Sequence, residues 1–295
     1  MKKIKLFIVS ILIILNSATL IADDFNDWKV KFKKRAIKEG VSKATVDKLI
    51  DRSKFLSDVI KYDRYQPEFY EDTKTYISKR TSSKKVKLGK IILNKENNII
   101  NKVSSEYKVD KNLLLALMGI ETNFGNYLGK MDIVSSLATL SYDQRRSEFF
   151  TKELITLLKL VDAKIIDPAT LFGSWAGAFG NFQFMPSTIK NHAIDYNKDG
   201  SIDLKNIEDS FASAANYLSN LGWNDNTPCF YRINLNENIP DKFLNTSAKK
   251  IKNERKVKYL KDYIKNSSFL DKYDNLTAAI VTPDFEIVEN ANKLN

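Results

Sequence analysis

Apolar positions recur at helical spacing through most of this chain, and they predict a sequence of short helices. Phe25, Trp28, Phe32 and Ala36 form one stripe, and Val46, Leu49 and Ile50 form a second, with Ser42 placed to cap its start. Pro67 interrupts the polar, aromatic-bearing stretch from Asp63 to Arg80, and Val86 to Leu93 then resumes an apolar helix. Further stripes follow: Ile99, Ile100, Val103 and Tyr107; Phe150, Leu154, Leu157, Leu158 and Val161; and Phe211, Ala215, Leu218 and Leu221, closed by Gly222.

The segment LLALMGIETNF, Leu114 to Phe124, carries the most information. Asp110 is placed to cap its helix, Gly125 is a stop signal, and Leu114, Leu117, Met118 and Glu121 fall at i, i+3, i+4 and i+7. That spacing predicts that Glu121 shares the buried stripe. Burial disfavours a charged carboxylate and raises its pKa, the property a general acid for glycosidic cleavage needs near neutral pH. The competing reading is an ion pair inside a helical core.

Between Phe172 and Met185 the pattern changes to FGSWAGAFGNFQFM, whose glycines and aromatics predict a tight loop lining a cleft. From about Tyr231 the helical stripes fade; Phe230 to Ile233 and Ala278 to Val281 predict strands, and Val257 to Ile264 a helix. The fold class expected is mainly α (α+β), with a small β-containing C-terminal portion.

At 295 residues and 43% hydrophobic content the chain has room for a sizeable core and two domains. Residues 1–22 predict a signal peptide: Lys2, Lys3 and Lys5 precede the apolar run Leu6 to Leu15, with Ala18 and Ala22 as small residues for cleavage. The absence of a cysteine beside that site excludes a lipoprotein anchor, so a periplasmic protein is expected, with an uncleaved membrane anchor as the alternative. Cys229 is the one cysteine and His192 the one histidine, which excludes an intrachain disulfide and thiolate metal clusters and argues against imidazole-rich zinc sites.

The formal charge of +11 calls for an acidic partner. The lysines spread over Lys29 to Lys54, Lys79 to Lys95 and Lys249 to Lys265 without a nucleic-acid motif, so no nucleic acid is expected. An anionic cell-wall polymer fits an exported protein better.

A second chemical signal lies in DYNKDGSID, Asp195 to Asp203, which follows the calcium-loop pattern D-x-[DN]-x-[DN]-G. Asp195, Asn197 and Asp199 offer side-chain oxygens and Ser201 its backbone carbonyl, a hard donor set suited to a structural Ca²⁺. Asn206 stands at the twelfth position, where a bidentate glutamate is expected, so Glu208 or Asp209 has to close the loop from further along.

Taken together, QPEF at Gln66 to Phe69, GIETNFG at Gly119 to Gly125, LATLSYDQRRSEFF at Leu137 to Phe150 and GSWAGAFGNFQFMPS at Gly173 to Ser187, followed by the oxygen-rich loop and ANYLSNLGW, resemble the membrane-bound lytic murein transglycosylase B family. The resemblance runs in order from about residue 25 to residue 225. It implies a lysozyme-like helical core with an EF-hand-like loop, arranged as an N-terminal helical domain over 23–102, a catalytic core over 103–229 and a small β-containing region over 230–295.

It also implies that Glu121 is the catalytic acid. Glu121 would protonate the oxygen leaving C1 of N-acetylmuramic acid, with help from the sugar's 2-acetamido group, and the resulting carboxylate would then deprotonate the C6 hydroxyl. The product is a 1,6-anhydro end formed without water, where ordinary glycosidases use two carboxylates. Ser174, Gln183, Tyr217 and, more loosely, Tyr76 match the family's substrate-contacting positions, and Arg145 and Arg146 its arginine pair, whose forked donors suit anionic lactyl or peptide groups. The longer family loop selects Asp209 as the closing metal ligand.

The partners implied are peptidoglycan glycan strands, with proteins of cell-wall synthesis or hydrolysis beside them; oligomeric state is left open. Family members continue into a terminal segment whose asparagine and tyrosine reach the active site. No such segment follows IVTPDF here, which leads to an expectation of weaker glycan binding. Two other readings stand: a lysozyme-type hydrolase, for which Asp132 or Asp143 would be the second carboxylate, and a catalytically weak wall-binding protein.

Overall fold

The computed structural model describes residues 24–65, 72–224, 228, 230–246 and 250–282. The predicted signal peptide, the QPEF motif and the residues after 282 lie outside these. The chain divides into two compact units, one made of residues 1–69 and 80–225, the other of residues 70–79 and 226–295. This division has a boundary at 225/226 and none at 102/103, because the N-terminal stripes share one core with the helices that follow.

The first unit is helical; among the described residues seven of its helices sit where the apolar stripes predict, and three, over 57–64, 133–142 and 186–192, have no predicted stripe. The helices are α1 (24–38), α2 (Lys43–Ile50), α3 (Ser57–Arg64), α5 (Ser83–Lys95), α6 (Asn97–Tyr107), α7 (Lys111–Thr122), α8 (Ile133–Tyr142), α9 (Ser147–Asp162), α10 (Pro186–His192) and α11 (Ile207–Asn220); α4 (Thr73–Arg80) belongs almost wholly to the second unit. Two predicted caps are present. The Asp110 carboxylate accepts N–H groups of Asn112 and Leu113 at 2.7 and 3.0 Å, and the Ser42 hydroxyl accepts that of Thr45 at 3.3 Å, satisfying donors that a helix start leaves open.

Helix α8 lies at the centre, with every residue from Ile133 to Ser141 buried. It packs against α9, α2 and α3; α9 also meets α10, α11 lies on α6 and α10, and α5 lies on α7. Helix α8 carries Ile133, Val134, Leu137, Ala138 and Leu140 together with the small hydroxyl residues Ser135, Ser136, Thr139 and Ser141, and neighbouring helices pack onto it from several sides.

A short ladder closes this unit at the site. Strands β1 (Met131–Asp132) and β2 (Phe172–Gly173) pair antiparallel, Met131 facing Gly173. The backbones approach closely there: a Cβ on Gly129 would stand 2.0 Å from the Gly173 carbonyl oxygen, and one on Gly173 would stand 2.2 Å from that of Ala178.

The second unit has its own core of Ile239, Phe243, Val257, Leu260, Ile264, Leu270 and Ile280. Strand β3 (Leu244–Asn245) pairs parallel with β6 (Ile280–Val281), and β4 (Arg255–Lys256) pairs antiparallel with β5 (Thr277–Ala278). The predicted helix over 257–264 is α12 (Val257–Leu260) continued by a 3₁₀ turn, Lys261–Tyr263. Among the described residues Phe230 to Ile233, expected as a strand, pair with no other strand, and Phe230 and Tyr231 are exposed.

Gly173→Ala is expected to cost about 1–3 kcal/mol, since the Ala178 carbonyl is backbone and cannot step aside as a side chain would. Urea unfolding of the variant against the parent chain measures it.

Candidate active site

Glu121 sits in the last turn of α7, and the way that helix ends determines its surroundings. Asn123, Phe124 and Gly125 follow with φ of 49°, 59° and 80°, three successive left-handed residues that turn the chain sharply off the helix. The N–H groups of Asn123 and Phe124 both return to the Met118 carbonyl, the latter at 3.1 Å. The stop is therefore Asn123, two residues before the predicted Gly125. The Phe124 ring folds back onto α7, where it fills the space a side chain at residue 119 would take: a Cβ on Gly119 would be 2.7 Å from its Cζ.

Thr122 ties this helix end to the glycine-rich loop. Its buried hydroxyl donates to the Asn181 carbonyl at 2.8 Å, lies 3.1 Å from the Met118 carbonyl and accepts the Gly125 N–H at 3.0 Å. Asn181 is itself buried. Its N–H donates to the Leu204 carbonyl, and its side-chain amide donates to the Lys205 carbonyl at 3.1 Å and to the Ser210 hydroxyl at 3.0 Å. Neither Thr122 nor Asn181 was singled out from the sequence; the available signal was a hydroxyl four residues after Met118 on the apolar stripe, and the GNF within the loop.

The buried stripe of α7 is Leu114, Leu115, Met118, Gly119 and Thr122. Leu117 is half-buried and Glu121 is exposed, which corrects the expected burial of the acid: at the final turn the helix rim, and not its inner face, presents residue 121. The apolar surroundings still displace enough water to push the Glu121 carboxyl above the ordinary glutamate value. Among the described residues its carboxylate makes no hydrogen bond and no ion pair, so nothing offsets that loss of hydration.

The other carboxylates considered for the site are occupied. Asp132 caps α8 by accepting the Ser135 N–H at 2.6 Å, and Asp143 accepts from Arg64 at 2.8 Å.

Ser174, Gln183 and Tyr217 come together around the loop over 173–185. The Ser174 hydroxyl accepts the Ala178 N–H at 3.0 Å, leaving its proton to donate. Gln183, at φ 50°, uses its amide nitrogen on the Gly180 and Leu128 carbonyls at 2.9 and 3.3 Å, leaving its amide oxygen as an acceptor. The half-buried Tyr217 ring meets Phe184 and His192 edge-on, at centroid distances of 5.6 and 5.1 Å, and its phenol makes no hydrogen bond among the described residues. Each of the three thus keeps one polar function unspent. Tyr76 lies on α4 in the other compact unit.

Arg145 and Arg146, the pair that the resemblance assigns to anionic substrate groups, both reach Asp63 and stay partly exposed. Arg145 donates to the Asp63 carboxylate at 2.8 Å and to its backbone carbonyl at 2.6 Å, Arg146 donates to the other carboxylate oxygen, and its guanidinium also lies 4.8 Å from the Phe150 ring centroid. Asp63 is buried, and a buried carboxylate demands such partners. The forked donors close an internal ion pair between α3 and the start of α9.

The oxygen-rich loop is folded on its own amides. Asp195 accepts N–H groups of Asp199 and Gly200 at 3.1 and 2.9 Å, Asn197 accepts that of Asp199, and Asp199 accepts that of Ser201 at 2.9 Å. Hydrogen bonds donated by the Ser201 N–H and hydroxyl, and then by the Asn197 side-chain amide, hold the Asp199 carboxyl below its ordinary value. Asp209, fully buried on α11, accepts the N–H groups of Tyr196, Asn197 and Asp203 at 2.8, 3.3 and 2.9 Å. Among the described residues no three acid, histidine or cysteine side chains stand close enough to hold a metal. By chemistry and order the donors fit a hard cation; their oxygens are engaged with the loop's own N–H groups.

Comparison with known proteins gives a consistent set of relatives. Residues 24–293 match the family described as transglycosylase SLT domain. The membrane-bound lytic murein transglycosylase B of Escherichia coli is 38% identical over 149 residues, a stretch covering 50% of this chain and 41% of that protein, so this chain spans less than half of that relative's length. The crystal structure of SltB3 from Pseudomonas aeruginosa in complex with NAG-NAM-pentapeptide superposes with a TM-score of 0.81 at 27% identity, covering 88% of this chain and 69% of that one. The Escherichia coli lytic transglycosylase Slt35 in complex with calcium gives 0.69 at 27% identity, covering 85% and 78%.

Thr122→Val keeps the shape of the side chain and removes its hydroxyl, leaving the Asn181 carbonyl and Gly125 N–H without a partner. The loss expected is about 1–3 kcal/mol per stranded group, read as a lower urea midpoint with an unchanged slope.

Proposed function

The chain belongs to the transglycosylase SLT domain family, and on that premise we propose that it is a lytic murein transglycosylase, cleaving the β-1,4 bond between N-acetylmuramic acid and N-acetylglucosamine in peptidoglycan and leaving 1,6-anhydro ends. The observation that carries this reading is Glu121: an accessible carboxyl whose pKa is raised by lost hydration, while Asp132 and Asp143, the other carboxylates considered, are engaged elsewhere.

A protonated Glu121 donates its proton to the leaving glycosidic oxygen. The same group, now a carboxylate, takes the proton of the C6 hydroxyl as that oxygen closes on C1, so a single residue serves as acid and then base. The unspent hydroxyl of Ser174, amide oxygen of Gln183 and phenol of Tyr217 are the groups we assign to hold the sugar, with Tyr76 as a further substrate contact. A hydrolase would need a water-activating second carboxylate. Asp132 and Asp143 are committed to a helix cap and an ion pair, which favours the transglycosylase over that alternative.

The loop over 195–209 is proposed to bind a structural Ca²⁺ in an EF-hand-like manner, through Asp195, Asn197, Asp199, the Ser201 carbonyl and Asp209. Its hard-oxygen donors and the calcium complex of Slt35 support this assignment. The working compartment is proposed to be the periplasm, reached through the N-terminal signal, since the Escherichia coli relative is membrane-bound and its substrate lies outside the cytoplasm. Among the described residues no helix is long and apolar enough to cross a membrane.

Glu121→Gln should release no anhydromuropeptides from purified sacculi while the wild type does, as read by mass spectrometry; reducing ends from the wild type would instead identify a hydrolase. Because the acid form is required, activity is full below the raised Glu121 pKa and falls as pH climbs through it, at a pH above that of an ordinary glutamate. The stability sign is the reverse of the usual carboxylate case: the folded state holds its proton more tightly, so rising pH costs stability between the unfolded and folded pKa values. Glu121→Gln removes that cost and should melt higher than the wild type at neutral pH.

Calcium at a hundred times its Kd should add about 2.7 kcal/mol of stability, reversed by chelator, and Asp195→Ala should abolish the response. A melting temperature indifferent to calcium and chelator overturns the metal assignment.

A further inference from the structure

A cavity of about 470 Å³ opens in the first compact unit between the start of α3 and strand β1, lined by Arg52, residues 54–58, Lys130, Met131, Asp132 and Ser135. Its volume falls within the roughly 300–1,000 Å³ of small-molecule sites. Its chemistry is divided. Phe55, Leu56 and Met131 give it apolar walls, each half-buried against the main core. Arg52, Lys54 and Lys130 stand around it, and among the described residues none of these three cations makes an ion pair.

The two acids of the lining are already engaged. Asp58 pairs with Lys61 at 2.8 Å, and Asp132 caps α8. The cavity also receives the first turn of α3, whose N-cap position, Leu56, supplies no side-chain hydrogen bond. The open N–H groups of a helix start add to the positive potential of the three cations. The Ser135 hydroxyl accepts the Lys54 N–H at 3.0 Å, and the Thr139 hydroxyl accepts that of Leu56 at 3.0 Å, so the segment bearing two walls is anchored to the central helix α8.

We propose that this cavity binds the carboxylate-bearing end of a short peptide, namely the stem peptides carried by the glycan strand; the identity of the peptide rests on the proposed peptidoglycan substrate. Cations and open amides suit a carboxylate, while the apolar walls suit alanyl side chains beside it, a combination that a bare phosphate does not match. The wall Lys130–Asp132 is also continuous with the site. Strand β1 pairs with β2, which leads into Ser174, and the Leu128 carbonyl accepts from Gln183. A peptide held here thus bears on the strand that carries the sugar-binding loop.

The test is binding of the free stem pentapeptide, without sugars, to the full folded chain by titration calorimetry. Three variants are compared with the wild type: Lys54→Glu with Lys130→Glu, Arg52→Glu alone, and Glu121→Gln. Saturable binding is expected, weakened at least about fivefold by either charge reversal and by amidation of the peptide carboxylates, since exposed ion pairs contribute modestly each. Glu121→Gln should bind as the wild type does. Inorganic phosphate should compete weakly.

Melting curves confirm that each variant is folded, because all three cations are exposed and outside the core. Absence of saturable binding, binding indifferent to the charge reversals, or equal affinity for the amidated peptide overturns the proposal. Peptide binding in a chain that releases no glycan leaves this site standing and removes the catalytic reading; glycan release without peptide binding does the opposite.

Discussion

The hydrogen bond from the Thr122 hydroxyl to the Asn181 carbonyl is the point on which the candidate site depends. On one side it fixes the end of α7 and so the position of Glu121. On the other it fixes the loop that bears Ser174 and Gln183. Asn181 extends the tie through its amide to Ser210 on α11, and the adjacent Asp209 gathers the backbone of the oxygen-rich loop. Buried polar groups have to be paired, and here the pairing doubles as the means of positioning the acid.

This arrangement explains why a loop so rich in glycine and aromatics is ordered. Phe182 packs edge-on against Phe211, and Phe184 against Tyr217, so the loop is held by rings on its inner side while the polar residues between them stay available. The GIETNFG segment follows the same economy of space: Gly119 makes room for the Phe124 ring, Thr122 supplies the tie, and Glu121 is left facing outward. The acid's chemistry then follows from lost hydration without a compensating partner.

Charge in this chain has two separate uses. Arg145 and Arg146 are drawn inward by the buried Asp63 and hold α3 to the start of α9. Arg52, Lys54 and Lys130 stand around a cavity whose two acids, Asp58 and Asp132, are engaged with Lys61 and with the start of α8. The high net charge is thus partly structural and partly presented to the outside, a division that a count of lysines does not reveal.

What the sequence determined by itself was local: the stripes that became helices α1, α2, α5 to α7, α9 and α11, the Asp110 and Ser42 caps, the loop over 172–185, and a carboxylate at the end of an apolar helix. These depend on residues within a few positions of one another, and a 3.6-residue period or a capping side chain reports them directly. Tertiary structure decided the rest. It set Glu121 on the rim and not in the stripe, which at the end of α7 is made by Met118, Gly119 and Thr122. It committed Arg145 and Arg146 to Asp63, a pairing across 82 and 83 positions that no local pattern records. It also merged the N-terminal helices with the central core, since α2 and α3 pack on the buried α8 with apolar faces whose partner lies far along the chain.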